Sequence, residues 1–293
     1  MLWFWLSLAC ALLWAIESIL NKHVSSRLAR PQLVLSFFST FLGLLMALPL
    51  LLMPGTQLLP FSVEASISLL AGLAVFAAYL LFIRALTRGE ASRIVGLYLS
   101  SPVFVALLAL FFLGEQLSLP NYAGILLVVA GAAAMAYRKG SFSLGSGSLE
   151  ALASSLIYSC VNVSLDYSAE SIGAFASFFW FQAGFFAAGA AYALIHRREL
   201  AEYFRGARTA LAGAVGAGIC GNAGRVFLLL AFSVGSVSLS VAVQYTEAFF
   251  VLILASLLSA YYPKILKEET GTSAIALKLF ATVLMFAGVL LLI

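Results

Sequence analysis

The sequence predicts an all-α membrane protein: ten transmembrane helices arranged as two inverted five-helix repeats. Three observations predict it. Of 293 residues, 63% are apolar and only 10% are charged, and the mean hydropathy is +1.07. A soluble fold needs polar residues to cover its outside, and an average soluble domain is about 25% charged. The apolar residues fall into ten runs, and ten crossings at about 20 residues each use roughly 200 residues, which leaves room only for short turns. Lys and Arg gather in every second connection. No large soluble domain fits this length, and most soluble-enzyme chemistry goes with it. The net charge of +4 therefore reports topology, not nucleic-acid binding.

Each run is expected to be a helix, because backbone polar groups in lipid must be satisfied within their own segment. The runs cover roughly 2–21, 32–53, 64–86, 92–113, 121–137, 149–166, 172–195, 209–232, 237–259 and 273–293. The longest connections are 138–148, 196–208 and 260–272. The Gly/Ser-rich stretch 141–148 reads as the joint between a first repeat, 1–140, and a second, 141–293. Met1 leads straight into the first run without a basic stretch, so no cleavable signal peptide is expected. Cys10, Cys160 and Cys220 stand singly in apolar runs and read as small core residues, neither disulfides nor metal ligands.

The odd connections hold 14 of the 16 Lys and Arg, and the even connections and both termini hold none. Lys278 can snorkel to the same side, which leaves only Arg225 deep in a span. The positive-inside rule then puts the odd connections in the cytoplasm and both termini outside a cell (inner) membrane. Ala85, Gly89, Ser92, Val95 and Phe104 match Ala231, Gly235, Ser238, Val241 and Phe250 at a constant offset of 146. Trp14 corresponds to Tyr158, and Ala130-Gly131 to Ala287-Gly288. Each half has an odd number of spans, so the halves must be inverted, the usual plan of a secondary transporter with its site near mid-membrane.

Specific motifs accompany this plan. Trp14 precedes Lys22 at the end of the first helix. Ala85-Leu86 and Ala91-Ser92 join helices three and four. Ser101-Pro102-Val103-Phe104 and Leu113-Gly114-Glu115-Gln116 follow, and Gly124 to Gly131 lie in the fifth helix. In these motifs the chain resembles the drug/metabolite transporter superfamily, EamA type. It departs where Ala15 replaces Gly, where Ala248 stands for a frequent Pro, and at Tyr261-Tyr262-Pro263. The resemblance implies ten helices in two inverted halves that move small organic metabolites.

Ionisable groups inside spans are costly and mark a cavity or a partner. Four polar stripes are expected to share one central cavity: Trp14, Glu17 and Asn21; Tyr158, Asn162 and Asp166; Asn222 and Arg225; Gln244 and Glu247. The bland alternative for each, and for Gln182, is a helix–helix hydrogen bond. Arg225 and Glu247 differ in height by roughly 9 Å at 1.5 Å per residue, close enough for an ion pair if their helices adjoin. Arg225 is then expected to hold a substrate carboxylate, with Glu247 holding an ammonium or orienting the arginine. Glu17 lacks an obvious intramembrane partner, which makes it the proton-coupling candidate; pairing with Lys22 or contact with water is the alternative. Trp14, Tyr98, Tyr158, Trp180 and Tyr245 are candidate substrate-stacking rings. Glycines of the eighth run, including Gly221 and Gly224, read as close-packing positions.

The function expected is secondary active transport of small metabolites, amino-acid-like solutes above all, in the export direction. A sugar, phosphorylated-sugar or nucleotide-sugar exchanger is the alternative, and it would need several cavity cations. A non-transporting membrane subunit is a further one. No nucleotide-binding loop, zinc-protease motif or nucleophile elbow is present. No catalysis, cofactor or metal is therefore expected. The partners expected are the bilayer, a small-molecule substrate, a coupling proton and, at most, a second copy.

Overall fold

The computed structural model describes residues 1–52, 62–88, 97–98, 100–136, 147–206, 208–251, 253–254 and 272–292. Among these the regular elements are helices: α1 (Leu2–Ser25), α2 (Pro31–Leu50), α3 (Val63–Arg88), α4 (Ser101–Phe112), α5 (Leu119–Ala136), α6 (Ser148–Ile172), α7 (Ala174–Ile195), α8 (Arg197–Gly206), α9 (Arg208–Phe232), α10 (Val237–Gln244) and α11 (Thr272–Leu292). Six of them, α1, α2, α3, α6, α7 and α9, are long and apolar enough to cross a membrane. The chain is a multi-pass helical membrane protein. The motif residues Gly89 to Ser92 and Tyr261 to Pro263, the joint 141–146, and the cations Arg93, Arg138, Lys139, Lys264 and Lys267 lie outside the described residues.

Local chemistry sets several boundaries. Pro31 opens α2 and Pro102 lies in the first turn of α4, where a missing N–H costs nothing. Ser236 caps α10 by accepting the Leu239 N–H at 3.0 Å. α6 runs six residues beyond the expected end at Asp166. It stops at Gly173, whose φ of +83° is a conformation glycine adopts without steric penalty, and α7 begins at the next residue.

Two features depart from the sequence reading. Within the connection 196–208, residues 197–206 form the helix α8, with Leu200 buried on its inner face. In addition, α10 stops at Gln244, and helical turns resume at 247. Across the break, Thr246 N–H donates to Val243 O (3.0 Å) and Ala248 N–H to Tyr245 O (3.3 Å), the tighter i→i−3 pattern. Cys160, expected in the core, is exposed, whereas Cys10 is buried.

The most extensive contacts pair α1 with α9, α3 with α6, α3 with α7, α5 with α11, α2 with α7 and α2 with α9. Smaller ones pair α4 with α6 and α1 with α10. Small residues make these approaches possible. Cβ atoms on Gly213 and Gly216 of α9 would press on Val24 and Leu20 of α1, and on Gly221 and Gly224 would collide with Glu17 and Trp14. One number rises as the other falls, so these two helices run antiparallel. In the α3–α6 seam, Ser154 Oγ donates to Ala78 O at 2.8 Å and Ser168 Oγ to Glu64 O at 3.1 Å, again antiparallel. α4 and α6 run parallel, joined by Ser101–Ser159 (2.8 Å) and Ser100–Ser155 (3.2 Å).

The ends of the bundle are segregated. At one end Arg30 meets Glu199 and Arg27 meets Thr209, so the α1–α2 connection touches α8 and the start of α9. At the other, Ser238 bonds Glu115 and Asn121 Nδ2 donates to Leu291 O at 3.2 Å. Trp3 also packs on Gly235 there.

Candidate functional site

Arg225 is the centre around which most of the candidate residues gather. It sits on the face of α9 that the glycines bring against α1. Its guanidinium carbon lies 5.1 Å from the Trp14 ring centroid, 4.9 Å from Tyr158 and 5.2 Å from Phe181. Three aromatic faces thus take up its charge. Its Nη2 donates to the Tyr158 hydroxyl. Trp14 is itself fixed, its Nε1 donating to Gly221 O at 3.0 Å. Gly224 presents no side chain beneath the Trp14 ring, and that bareness lets the ring lie flush on α9.

The rings continue outward from this cage. Trp14 and Tyr158 are 6.1 Å apart, Tyr158 and Tyr98 5.8 Å, and Tyr98 and Tyr245 6.2 Å. Four of the five expected rings therefore form one connected set. The fifth, Trp180, packs edge-on against Phe179 of its own helix. The third ring about Arg225 is its neighbour Phe181, which the sequence reading missed. Only its position beside Gln182 hinted at it.

The expected Arg225–Glu247 ion pair does not form. Glu247 instead accepts Ser18 Oγ at 2.7 Å and Gln244 Nε2 at 3.2 Å. The reason is local: the break in α10 turns Glu247 toward α1, while the glycine-lined seam holds Arg225 against the rings. Ser18, also missed, lies four residues after Trp14 and so on the same face. Glu17 accepts Asn21 Nδ2 at 3.5 Å and rests against the bare backbone of Gly221. No Lys22–Glu17 ion pair is present.

Amides complete the cluster. Asn222 donates to Ser39 O (2.8 Å) and Gly218 O (2.7 Å) and accepts from Gln182 Nε2. Asn222 and Gln182 therefore link α2, α7 and α9, as the helix–helix alternative anticipated. Other polar atoms in this region have no partner: both amide atoms of Asn162, Gln182 Oε1, Gln244 Oε1 and Arg225 Nη1 are buried and make no hydrogen bond. Asn162 and Gln182 have no exposed surface. An unsatisfied buried polar group costs about 1–3 kcal/mol, so several kept together call for an explanation. The surface hollow described lies elsewhere, at Leu194 to Glu199.

By its fold the chain is a multi-pass helical membrane protein, with the ring-caged arginine and the unpaired amides buried in its bundle. Comparison with known proteins narrows it. Residues 1–137 match the EamA-like transporter family, which bears out the resemblance carried by the motifs from Trp14 onward. A protein of Sinorhizobium sp. described as "Uncharacterized transporter in cobO 3'region" is 43% identical over 67 residues, 23% of this chain. That match spans about half, 48%, of the relative's length. A solved crystal structure shares the fold with a TM-score of 0.74 at 19% identity, covering 98% of this chain and 94% of its own.

Proposed function

We propose that the protein is a secondary active transporter of small metabolites, with amino-acid-like solutes as its substrates and export as its direction, and not an enzyme. The observation that carries this reading is the Arg225 cluster. One guanidinium nitrogen is unpartnered beside amides that lack partners, and two carboxyls, Glu17 and Glu247, have no ion-pair partner among the described residues. Such a site offers a donor to a substrate carboxylate and acceptors to an ammonium group. The phosphorylated-sugar reading finds less support, because Arg225 is the single cation among these groups.

The ten-span, inverted-repeat plan, with repeats 1–140 and 141–293, belongs to the same proposal. Its support is the contact pattern. Exchanging α1, α2, α3, α4 and α5 with α6, α7, α9, α10 and α11 turns the α1–α9 contact into α3–α6, α2–α9 into α3–α7, and α4–α6 into α1–α10. The polarity of each seam also agrees with alternating crossings. Connections one and seven meet at one end and the termini lie at the other, in keeping with a cytoplasmic basic end and external termini. The break in α10 beside Glu247 fits the discontinuous helices that line transporter sites.

Two measurements test the function. A melting-temperature screen of the purified protein against amino acids, sugars and nucleotides is expected to show stabilisation by amino acids. Stabilisation by phosphorylated ligands alone would overturn the preference. Glu17→Gln is expected to remove the pH dependence of transport in proteoliposomes while leaving ligand-induced stabilisation in place. Unchanged pH dependence would end the proton-carrier role.

A further inference from the structure

The unexpected helix α8 has two dissimilar faces. Its inner face is tied to the first half of the chain: Phe204 packs on Phe37 (5.5 Å) and Phe38 (5.8 Å), Tyr203 accepts the Arg30 N–H at 3.1 Å, and Glu199 pairs with Arg30 at 2.7 Å. Its outer face and flank expose Arg197, Arg198, Arg205 and Arg208 with a single acid, Glu202, among them, so the face keeps an excess of three positive charges, and among the described residues none of these guanidinium groups joins an ion pair. Immediately before α8, Leu194 and Ile195 end the apolar α7 at 69% and 76% exposure. Together with His196, Arg197 and Arg198 they line a surface hollow.

From this juxtaposition we propose that the outer face of α8 is a docking surface for the headgroup of an anionic phospholipid. The charge is complementary to such a headgroup, and the apolar rim places an acyl chain against Leu194 and Ile195, where a transmembrane span meets the interface. A soluble acidic partner would satisfy the arginines but leave that rim uncovered. The inner face of α8, which carries the Arg30–Glu199 pair, is left as it is by a lipid on the outer face.

The test uses the full chain in neutral detergent, titrated with dioleoyl-phosphatidylglycerol or dioleoyl-phosphatidylcholine, with melting temperature as the readout. Phosphatidylglycerol is expected to raise it several degrees more than phosphatidylcholine, since a ligand of the native state stabilises that state. The triple variant Arg197→Gln, Arg198→Gln, Arg205→Gln is expected to lose most of that difference while melting normally in phosphatidylcholine. The corresponding triple Arg→Lys variant, which keeps the charge, is expected to retain it and guards against a variant that merely misfolds. Equal shifts with the two lipids, an undiminished difference in the Gln variant, or the same shift with inorganic phosphate would each overturn the proposal.

Discussion

The α1–α9 and α3–α6 seams, which the proposed repeat would make counterparts, are built from different chemistry. Between α3 and α6 the helices are joined by serine hydroxyls that donate to backbone carbonyls, Ser154 to Ala78 and Ser168 to Glu64. Nothing is left unpaired in either bond. Between α1 and α9 the approach is made by glycines, over which Trp14 and Glu17 are laid. A hydroxyl bond fixes two helices and uses up its polar groups. A glycine seam fixes them by shape, with a bond from Trp14 Nε1 to Gly221 O crossing it, and it leaves one Arg225 nitrogen without a partner. The difference teaches that the polar groups of this membrane protein divide into those that hold helices and those that are kept available, and that the second kind, Asn162, Gln182, Arg225 and Gln244 among them, lies on α6, α7, α9 and α10.

The sharpest way to break this distinction is Arg225→Ala. It empties the cage of three rings and leaves the Tyr158 hydroxyl without its donor, so transport is expected to vanish and stability to fall by about 2–5 kcal/mol, as for other large-to-small changes in packed sites. Chemical denaturation and proteoliposome transport measure the two effects. Double-mutant cycles refine the result. Arg225 is expected to couple more strongly to Tyr158, through Tyr158→Phe, than to Glu247, through Glu247→Leu. The reverse order would restore the ion pair that the sequence suggests. Gly224→Ala comes next. Its Cβ would fall 2.5 Å from Cδ1 and Nε1 of Trp14, and moving that ring breaks its bond to Gly221 O. Overpacking of this kind costs about 1–3 kcal/mol, and the Trp14 contribution to fluorescence is expected to shift. Gly213→Ala, in the same seam but facing Val24 at 3.0 Å, is expected to cost less and to leave transport intact.

The sequence reveals the helical class because apolar runs of membrane length leave little choice of structure, and it reveals the candidate set because charge and amide groups in lipid stand out. Arg225, Tyr158, Trp14, Tyr98 and Tyr245 are gathered as their places on helix faces suggest. The partners within the set are harder to read. The Arg225–Glu247 pair was inferred from height along two straight helices, and α10 is not straight: it breaks at Tyr245–Thr246. No Gly or Pro marks that break, so nothing local announces it. Phe181 is one of 24 phenylalanines, and only the fold tells a cage ring from a lipid-facing one. The stretch 196–208 stands out in the sequence only as a long basic connection, too short for a span, and not as the helix α8 that it contains. Its buried Leu200 and the packing of Phe204 are tertiary facts.

The smallest effect belongs to the serine seam and tests its other half of the comparison. Ser154→Ala removes one hydrogen bond to Ala78 O from a fully packed contact. Interhelical bonds of this type in membranes average about 0.6 kcal/mol and reach about 1.7 kcal/mol, so a shift in unfolding midpoint of that order is expected, with transport unchanged. Ser168→Ala removes the second bond 14 residues along the same helix, about 21 Å away at 1.5 Å per residue. At that separation the two losses are expected to add within about 0.5 kcal/mol. Additive cost and intact transport would mark α3–α6 as a seam that only holds. A loss of transport in Ser154→Ala without a matching loss of stability would show that this seam also moves in the transport cycle. The division between polar groups that hold helices and polar groups kept available would then fail at this seam.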